Sequence, residues 1–261
     1  MKIFITGASS GIGEALATEY AKRYINTKIG LVARSTQRLQ NLQTTLRESY
    51  NAECIIYPLD VRNVSALSDA AKNFMLEYGT PDVVVANAGV SRGTLTEHGE
   101  DNAAFQAIMD INVLGLVHTF QPFISAMRKE RHGQLVGIAS VAGIRGLPGA
   151  GAYSASKAAA ISYLESLRVE MVRDNIAVTT IVPGYIRTPM TDINHYKMPF
   201  LMDADVAAHK FANAIQHKRR FIVIPWQMAW VARLMQFIPP ILWDWMMKNA
   251  PHKKRIDCDW L

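Results

Sequence analysis

The sequence predicts an α/β protein built on a doubly wound, mainly parallel sheet of about seven strands with helices on both faces. Two observations carry that prediction. Short apolar, β-branched runs recur at 2–6 (KIFIT), 28–33 (KIGLVA), 54–59 (CIIYPL), 82–87 (DVVVAN), 134–140 (QLVGIAS), 177–182 (AVTTIV) and 221–224 (FIVI), and longer helical patterns separate them. The runs lack polar alternation, as strands covered on both faces do, and strand–helix alternation favours parallel pairing. Right-handed crossovers then put helices on both faces, and ligands gather beyond the C-terminal strand ends where strand order reverses. The residues that close each strand are therefore the ones to read.

With 49% hydrophobic and 19% charged residues in 261, the chain has globular composition, which excludes disorder. No linker, repeat or low-complexity segment interrupts it before residue 225. We expect one unit, with a catalytic part over 1–225 and an apolar C-terminal extension over 226–261 that belongs to the same domain. The net charge of +6 is scattered apart from the HKKR run at 252–255, and no nucleic-acid module stands out. Cys54 and Cys258 have no close partner for a disulfide framework or a metal site, so no metal is expected. A reducing compartment follows. The start, MKIFITGASSG, leaves no room for a signal-peptide core, and a cytoplasmic location is the expectation.

The first strand runs into TGASSGIG, with Gly7, Gly11 and Gly13, and then a helical segment. Glycines let a backbone approach a pyrophosphate, and the following helix N-terminus offers unpaired N–H groups and partial positive charge. The spacing is G-x-x-x-G-x-G, a variant of the usual dinucleotide fingerprint. At the end of the second strand stand Ala33 and Arg34, where a carboxylate would otherwise hold a ribose 2′-hydroxyl. Arginine pairs with a 2′-phosphate that a carboxylate would repel, so NADP(H) is favoured. Asp60 closes the third strand, either facing the same crevice or capping the next turn. Asn87 closes the fourth.

Ser140 closes the fifth strand, and Tyr153 and Lys157 stand four residues apart at the start of a helix, on one face of it. A carbonyl reduction needs a hydride donor, a hydrogen-bond donor to the oxygen and a proton source. Serine, tyrosine and lysine can divide these roles, because a nearby ammonium stabilises a phenolate. Asn112 interrupts an apolar helical run. Its amide either ties a water chain leading to Lys157 or bonds to neighbouring backbone. The sixth strand ends in PGYIRTP, where Thr188 can reach a nicotinamide carboxamide or cap the loop.

Together TGASSGIG, Asp60, NAG at 87–89, Asn112, Ser140, YSASK at 153–157 and PGYIRT at 183–188 resemble the short-chain dehydrogenase/reductase family over about residues 1–225. The resemblance implies a Rossmann-like sheet of order 3-2-1-4-5-6-7. It implies Tyr153 as general acid/base, Lys157 as the group that lowers its pKa and holds the nicotinamide ribose, Ser140 orienting the substrate oxygen, and Asn112 supporting a proton relay. It carries cofactor contacts to Gly7, Ser9, Ser10, Gly11, Ile12, Gly13, Arg34, Asp60, Val61, Asn87, Ala88, Gly89, Tyr153, Lys157, Pro183, Gly184, Ile186 and Thr188. A homodimer or homotetramer packed through the helices of Asn112 and Tyr153 is also implied. The reading from a different class is a dinucleotide-binding sensor or scaffold without catalysis; all four catalytic positions are filled, which argues against it.

Two segments bear on the substrate. The loop at 185–205 offers Tyr185, Met190, Met198, Phe200, Leu201 and Met202 as an apolar lining for a lipophilic or bulky carbonyl compound or alcohol. Beyond it, 226–255 is rich in Trp and Met and then abruptly basic, and Arg233, Asp244 and Pro239-Pro240 break it into two short amphipathic helices. These either pack over the cleft or against another subunit, or make peripheral membrane contact.

Overall fold

A computed structural model describes residues 1–194 and 196–255. Cys258 and the end of the C-terminal extension lie outside the described residues. Seven strands, β1 (Lys2–Thr6), β2 (Lys28–Ala33), β3 (Glu53–Pro58), β4 (Val83–Ala86), β5 (Gln134–Ile138), β6 (Ala177–Pro183) and β7 (Phe221–Ile224), form one sheet in the order 3-2-1-4-5-6-7. Every neighbouring pair is parallel. Strand order reverses at β1, which lies between β2 and β4, and the crevice opens there.

The period of two along β1 divides the core. Ile3 and Ile5 face one layer, formed by α1 (Gly11–Arg23), α2 (Thr36–Tyr50) and α8 (Ala204–Gln216). Phe4 faces the other, formed by α3 (Val64–Tyr78), α4 (Asp101–Met109), α5 (Gly115–Glu130) and α6 (Gly151–Met171). The Phe4 ring meets Phe123 at 4.9 Å and Phe74 at 5.5 Å between centroids. Gly30 on β2 makes room for it, since a Cβ there would come within 2.5 Å of the Phe4 ring. Removing so buried an aromatic costs about 3–5 kcal/mol.

Two local features differ from simple expectation. The fifth strand stops at Ile138 rather than at Ser140; Ala139 still donates to Ile181 O, but Ser140 turns to cap a short 3₁₀ turn over Val141–Gly143, its Oγ accepting from Ala142 N. Asn112 sits in a π-helical turn, Asp110–Leu114, between α4 and α5. Such turns are frequent at functional sites.

After β6 the chain forms a single-turn helix, α7 (Pro189–Asp192), and after β7 two helices, α9 (Trp226–Phe237) and α10 (Pro240–Met247), separated at the proline pair. Met228 and Ala232 bury the inner face of α9, and a Cβ on Gly184 would meet Met228 at 2.7 Å. The extension is thus packed against the loop that closes β6.

Candidate active site

The crevice beyond the strand ends begins at the turn after β1. Gly7 and Gly11 have φ of +67° and +57°, a region that L side chains avoid. Gly13 serves the fold instead. A Cβ there would overlap Gly7 O, so its absence lets α1 close onto the turn rather than shaping the cleft. Asn87 pins the same turn from β4, its Nδ2 donating to Thr6 O at 3.0 Å and Gly7 O at 3.1 Å. Thr6, which local sequence reading does not single out, completes the tie by accepting at Oγ1 from Asn87 N and Ala88 N. Ser10 precedes α1 without a side-chain hydrogen bond to its first turn. The first amides of α1 thus have no bond from that side chain, and open amides at a helix N-terminus favour an anion.

Arg34 and Asp60 both line the cleft. Asp60 also folds back locally, accepting Arg62 N at 2.9 Å and pairing with the Arg62 guanidinium at 3.1 and 2.8 Å. Burial would raise its carboxyl pKa, but the Arg62 bonds, with Arg34 adding to them, hold it below the usual range. Asp60 therefore lines the crevice and orders the next turn at once, and Arg62 offsets its charge.

At the other end, Ser140, Tyr153 and Lys157 line the same cleft. Tyr153 lies in the first turn of α6, and Lys157 one turn later holds its Nζ 5.9 Å from the Tyr153 ring centroid. The Lys157 ammonium is buried and donates to Ile138 O at 2.9 Å; burial brings its pKa down to about 8. Burial raises the Tyr153 phenol, and its hydrogen bond with Ser140 opposes that rise. Asn112 is buried behind them. Its Oδ1 accepts from Val90 N at 2.8 Å, while Nδ2 donates to Val90 O at 3.0 Å and to Ser156 Oγ at 2.9 Å. Ser156 in turn donates to Tyr153 O. A Cβ on Gly89 would stand 3.2 Å from Asn112 Oδ1 and 3.4 Å from Lys157 Nζ, so glycine there lets the two groups close over the backbone.

The short chain dehydrogenase family model matches residues 1–197. The chain belongs to the short-chain dehydrogenase/reductase family. An uncharacterized oxidoreductase of Myxococcus xanthus is 36% identical over 242 residues, 92% of this chain and 93% of that one. An alcohol dehydrogenase of Thermococcus sibiricus, solved with 5-hydroxy-NADP, is 25% identical with a TM-score of 0.77, covering 85% of this chain and 95% of its own. A short-chain dehydrogenase/reductase of Burkholderia phymatum, solved with NAD, shares the fold at a TM-score of 0.81 and 23% identity, covering 98% and 96%. The family is one of oxidoreductases, and these solved members hold NAD or an NADP derivative.

Within this family frame, the cleft collects the sequence-predicted residues with two exceptions. Gly13 and Asn112 stand behind its wall, one shaping the glycine turn and the other tying β4's loop to α6. Of the expected apolar lining, Met190 reaches the cleft. Phe200 is exposed instead, and Met202, whose backbone pairs with Tyr185 and Arg187, is partly buried against the core. Thr188 contacts the glycine turn, where a Cβ on Gly11 would meet its Cγ2 at 2.9 Å, and its N–H donates to Thr191 Oγ1 at the start of α7. Tyr196, which meets Tyr185 edge to face at 6.4 Å, is an aromatic that the loop reading left out.

Proposed function

We propose that this protein is an NADP(H)-dependent oxidoreductase that interconverts a carbonyl and an alcohol on a lipophilic or bulky substrate. The observation that carries the reading is one cleft joining an anion-ready glycine turn to Ser140, Tyr153 and Lys157. The turn fits a dinucleotide: two positive-φ glycines bring backbone close, and the α1 amides carry no side-chain cap. Arg34 would hold the 2′-phosphate, Lys157 the nicotinamide ribose, and Thr188 the carboxamide. When bound, the nicotinamide supplies the hydride for the carbonyl carbon, or accepts it in the reverse direction. Ser140 orients the substrate oxygen and Tyr153 gives it a proton as negative charge develops there. Lys157 favours the phenolate that remains, which is then reprotonated from solvent. Asn112 holds the geometry of the relay through Val90 and Ser156.

NADPH oxidation across carbonyls graded in chain length and ring size tests this directly, with turnover expected to climb with apolar bulk. Efficient turnover of small charged carbonyls alone would overturn the substrate class. NADPH binding without any turnover would favour a sensor or scaffold. Replacing the attraction at Arg34 with a repulsion, Arg34→Asp, should lower NADPH affinity roughly 10- to 100-fold and reverse the preference toward NADH. Persistent NADPH preference would place the phosphate contact elsewhere.

A second reading concerns location. Trp226, Trp230, Leu234 and Phe237 make an exposed stripe along α9, and Ile241, Trp245 and Met246 extend it on α10. Large apolar side chains in such a row, with tryptophans among them, support peripheral contact of a cytoplasmic protein with a membrane surface. Deleting 226–261 would then abolish binding to anionic liposomes, and unchanged binding would remove the idea.

A further inference from the structure

Ser140 and Tyr153 belong to one stretch of chain, and the loop between them is held from two sides. On the inner side its 3₁₀ turn lies on α6, so close that a Cβ on Gly143 would stand 2.7 Å from Lys157 O. Leu147 N donates to Ser154 Oγ at 3.2 Å and Ser154 N to Ala150 O at 2.9 Å, which closes the loop onto the start of the helix. On the outer side stands the C-terminal extension, and Arg145 is where the two join. Its Nη1 donates to Met235 O at 2.5 Å and to Ile238 O at 2.6 Å, and its guanidinium lies 4.5 Å from the centroid of the Trp243 ring.

Little else fastens that part of the extension. α10 buries none of its residues, and α9 buries only Met228 and Ala232. A cavity of about 760 Å³ separates α10 from the loop and α6, with Trp243 and Met247 on one wall and Ile144, Leu147 and Ala155 on the other. Further along, His252 packs on Gly149, at the far end of the loop from Ser140. Dispersion across an open cavity is weak, so the place of the loop depends on directed contacts. Those of Arg145 are strong ones. The last carbonyls of a helix have no partner within it and carry partial negative charge, which a guanidinium satisfies, and the flat face of the same group stacks on an indole. One side chain thus joins α9, α10 and the loop that runs from Ser140 to Tyr153.

We propose that Arg145 is a positioning residue, which sets the separation of Ser140 and Tyr153 by tying the loop between them to α9 and α10. This deepens the carbonyl–alcohol reading and rests on it for the chemistry. A substrate oxygen has to meet both hydroxyls at once, so a loosened loop costs the reaction although neither group is removed. The C-terminal extension then belongs to the frame of the active site as well as to the outer surface.

The test follows the titration of the Tyr153 phenol by NMR of the full chain carrying ¹³Cζ-tyrosine, with Tyr153→Phe to assign the resonance. The Ser140 bond holds this phenol below the value that burial alone would give it, so its pKa should rise by about one unit in Arg145→Met. The ring also faces the ammonium groups of Lys157 and Lys253 and the neighbouring Tyr196, and the substitution removes none of them. With a carbonyl that the parent reduces, kcat should fall roughly 10- to 100-fold while NADPH affinity stays near the parent's. Arg145→Lys, which keeps a donor for the carbonyls, should recover part of that loss. Trp243→Leu keeps the bonds to α9 and loses the stacking; it should shift the titration less, in the same direction, and takes over the test if Arg145→Met does not fold. An unchanged Tyr153 titration overturns the proposal, whatever the rate does. A raised pKa supports it even if no carbonyl is reduced, in which case the reductase reading is what fails.

Discussion

The two ends of the cleft are made of different material. At the phosphate end the working surface is backbone: positive-φ glycines, the open amides of α1, and an Asn87 amide spent on holding Thr6 and Gly7 carbonyls. At the reacting end it is side chains, with Tyr153 and Lys157 from α6 and Ser140 from the segment after β5. Backbone dipoles suit the pyrophosphate, the part that NAD and NADP share. In the proposed reaction, side chains carry the proton chemistry. Truncating a side chain should therefore harm the second end most, and adding a Cβ should harm the first.

The largest effect is expected from Tyr153→Phe. The change removes one hydroxyl, the proposed proton source, and carbonyl reduction should fall roughly 10²–10⁴-fold while NADPH affinity stays close to the parent's. Reduction at the parent rate would assign the acid elsewhere. Lys157→Met should show the cost of the same site to the fold. Burial lowers this lysine from the ordinary 10.5 to about 8, a penalty of about 3 kcal/mol at pH 7. Losing the donor to Ile138 O takes back about 1 kcal/mol, so the variant should be about 2 kcal/mol more stable though inactive. Between pH 8 and 10.5 the native lysine gives up its proton while the unfolded one keeps it, so the unfolded state binds more protons and the parent gains stability. The advantage of Lys157→Met should then shrink as pH rises through 8, as read by urea unfolding across that range. A gain that does not vary with pH would mean that the fold does not lower the pKa of this lysine.

Legibility in the sequence follows the same division. All seven strands stand out as apolar runs because both sheet faces are covered, and the proline pair marks the break between α9 and α10. The glycine turn, Arg34 and the Tyr153–Lys157 pair are local patterns and can be read from spacing alone. Ser140 is visible as a residue, but not its role as the cap that ends β5. The amide of Asn112 is bound to Val90 and Ser156, contacts that lie 22 and 44 positions away. Least legible is the contact between Lys253 and Ser91, because a bond across 162 positions leaves no periodicity to find. The exposure of Phe200 escapes as well: its backbone takes a left-handed φ of 57°, which composition does not encode.

The smallest predicted effect is the sharpest probe of the contrast. Gly13→Ala adds a single methyl group, and Ser10→Ala removes a single hydroxyl from the same turn. The added methyl would overlap Gly7 O and stand 2.6 Å from Asn87 Nδ2, so either α1 lifts from the turn or the Asn87 tie opens. Overpacking of this kind costs about 1–3 kcal/mol, less what alanine gains in helix propensity. Thermal unfolding should fall by a few degrees for Gly13→Ala, and NADPH binding should weaken with it because the displaced carbonyl carries the phosphate loop. Ser10 makes no side-chain hydrogen bond to α1, so Ser10→Ala should leave stability within about 0.5 kcal/mol. The opposite ranking, with the hydroxyl mattering more to the fold than the added methyl, would mean that side chains rather than backbone shape the phosphate end.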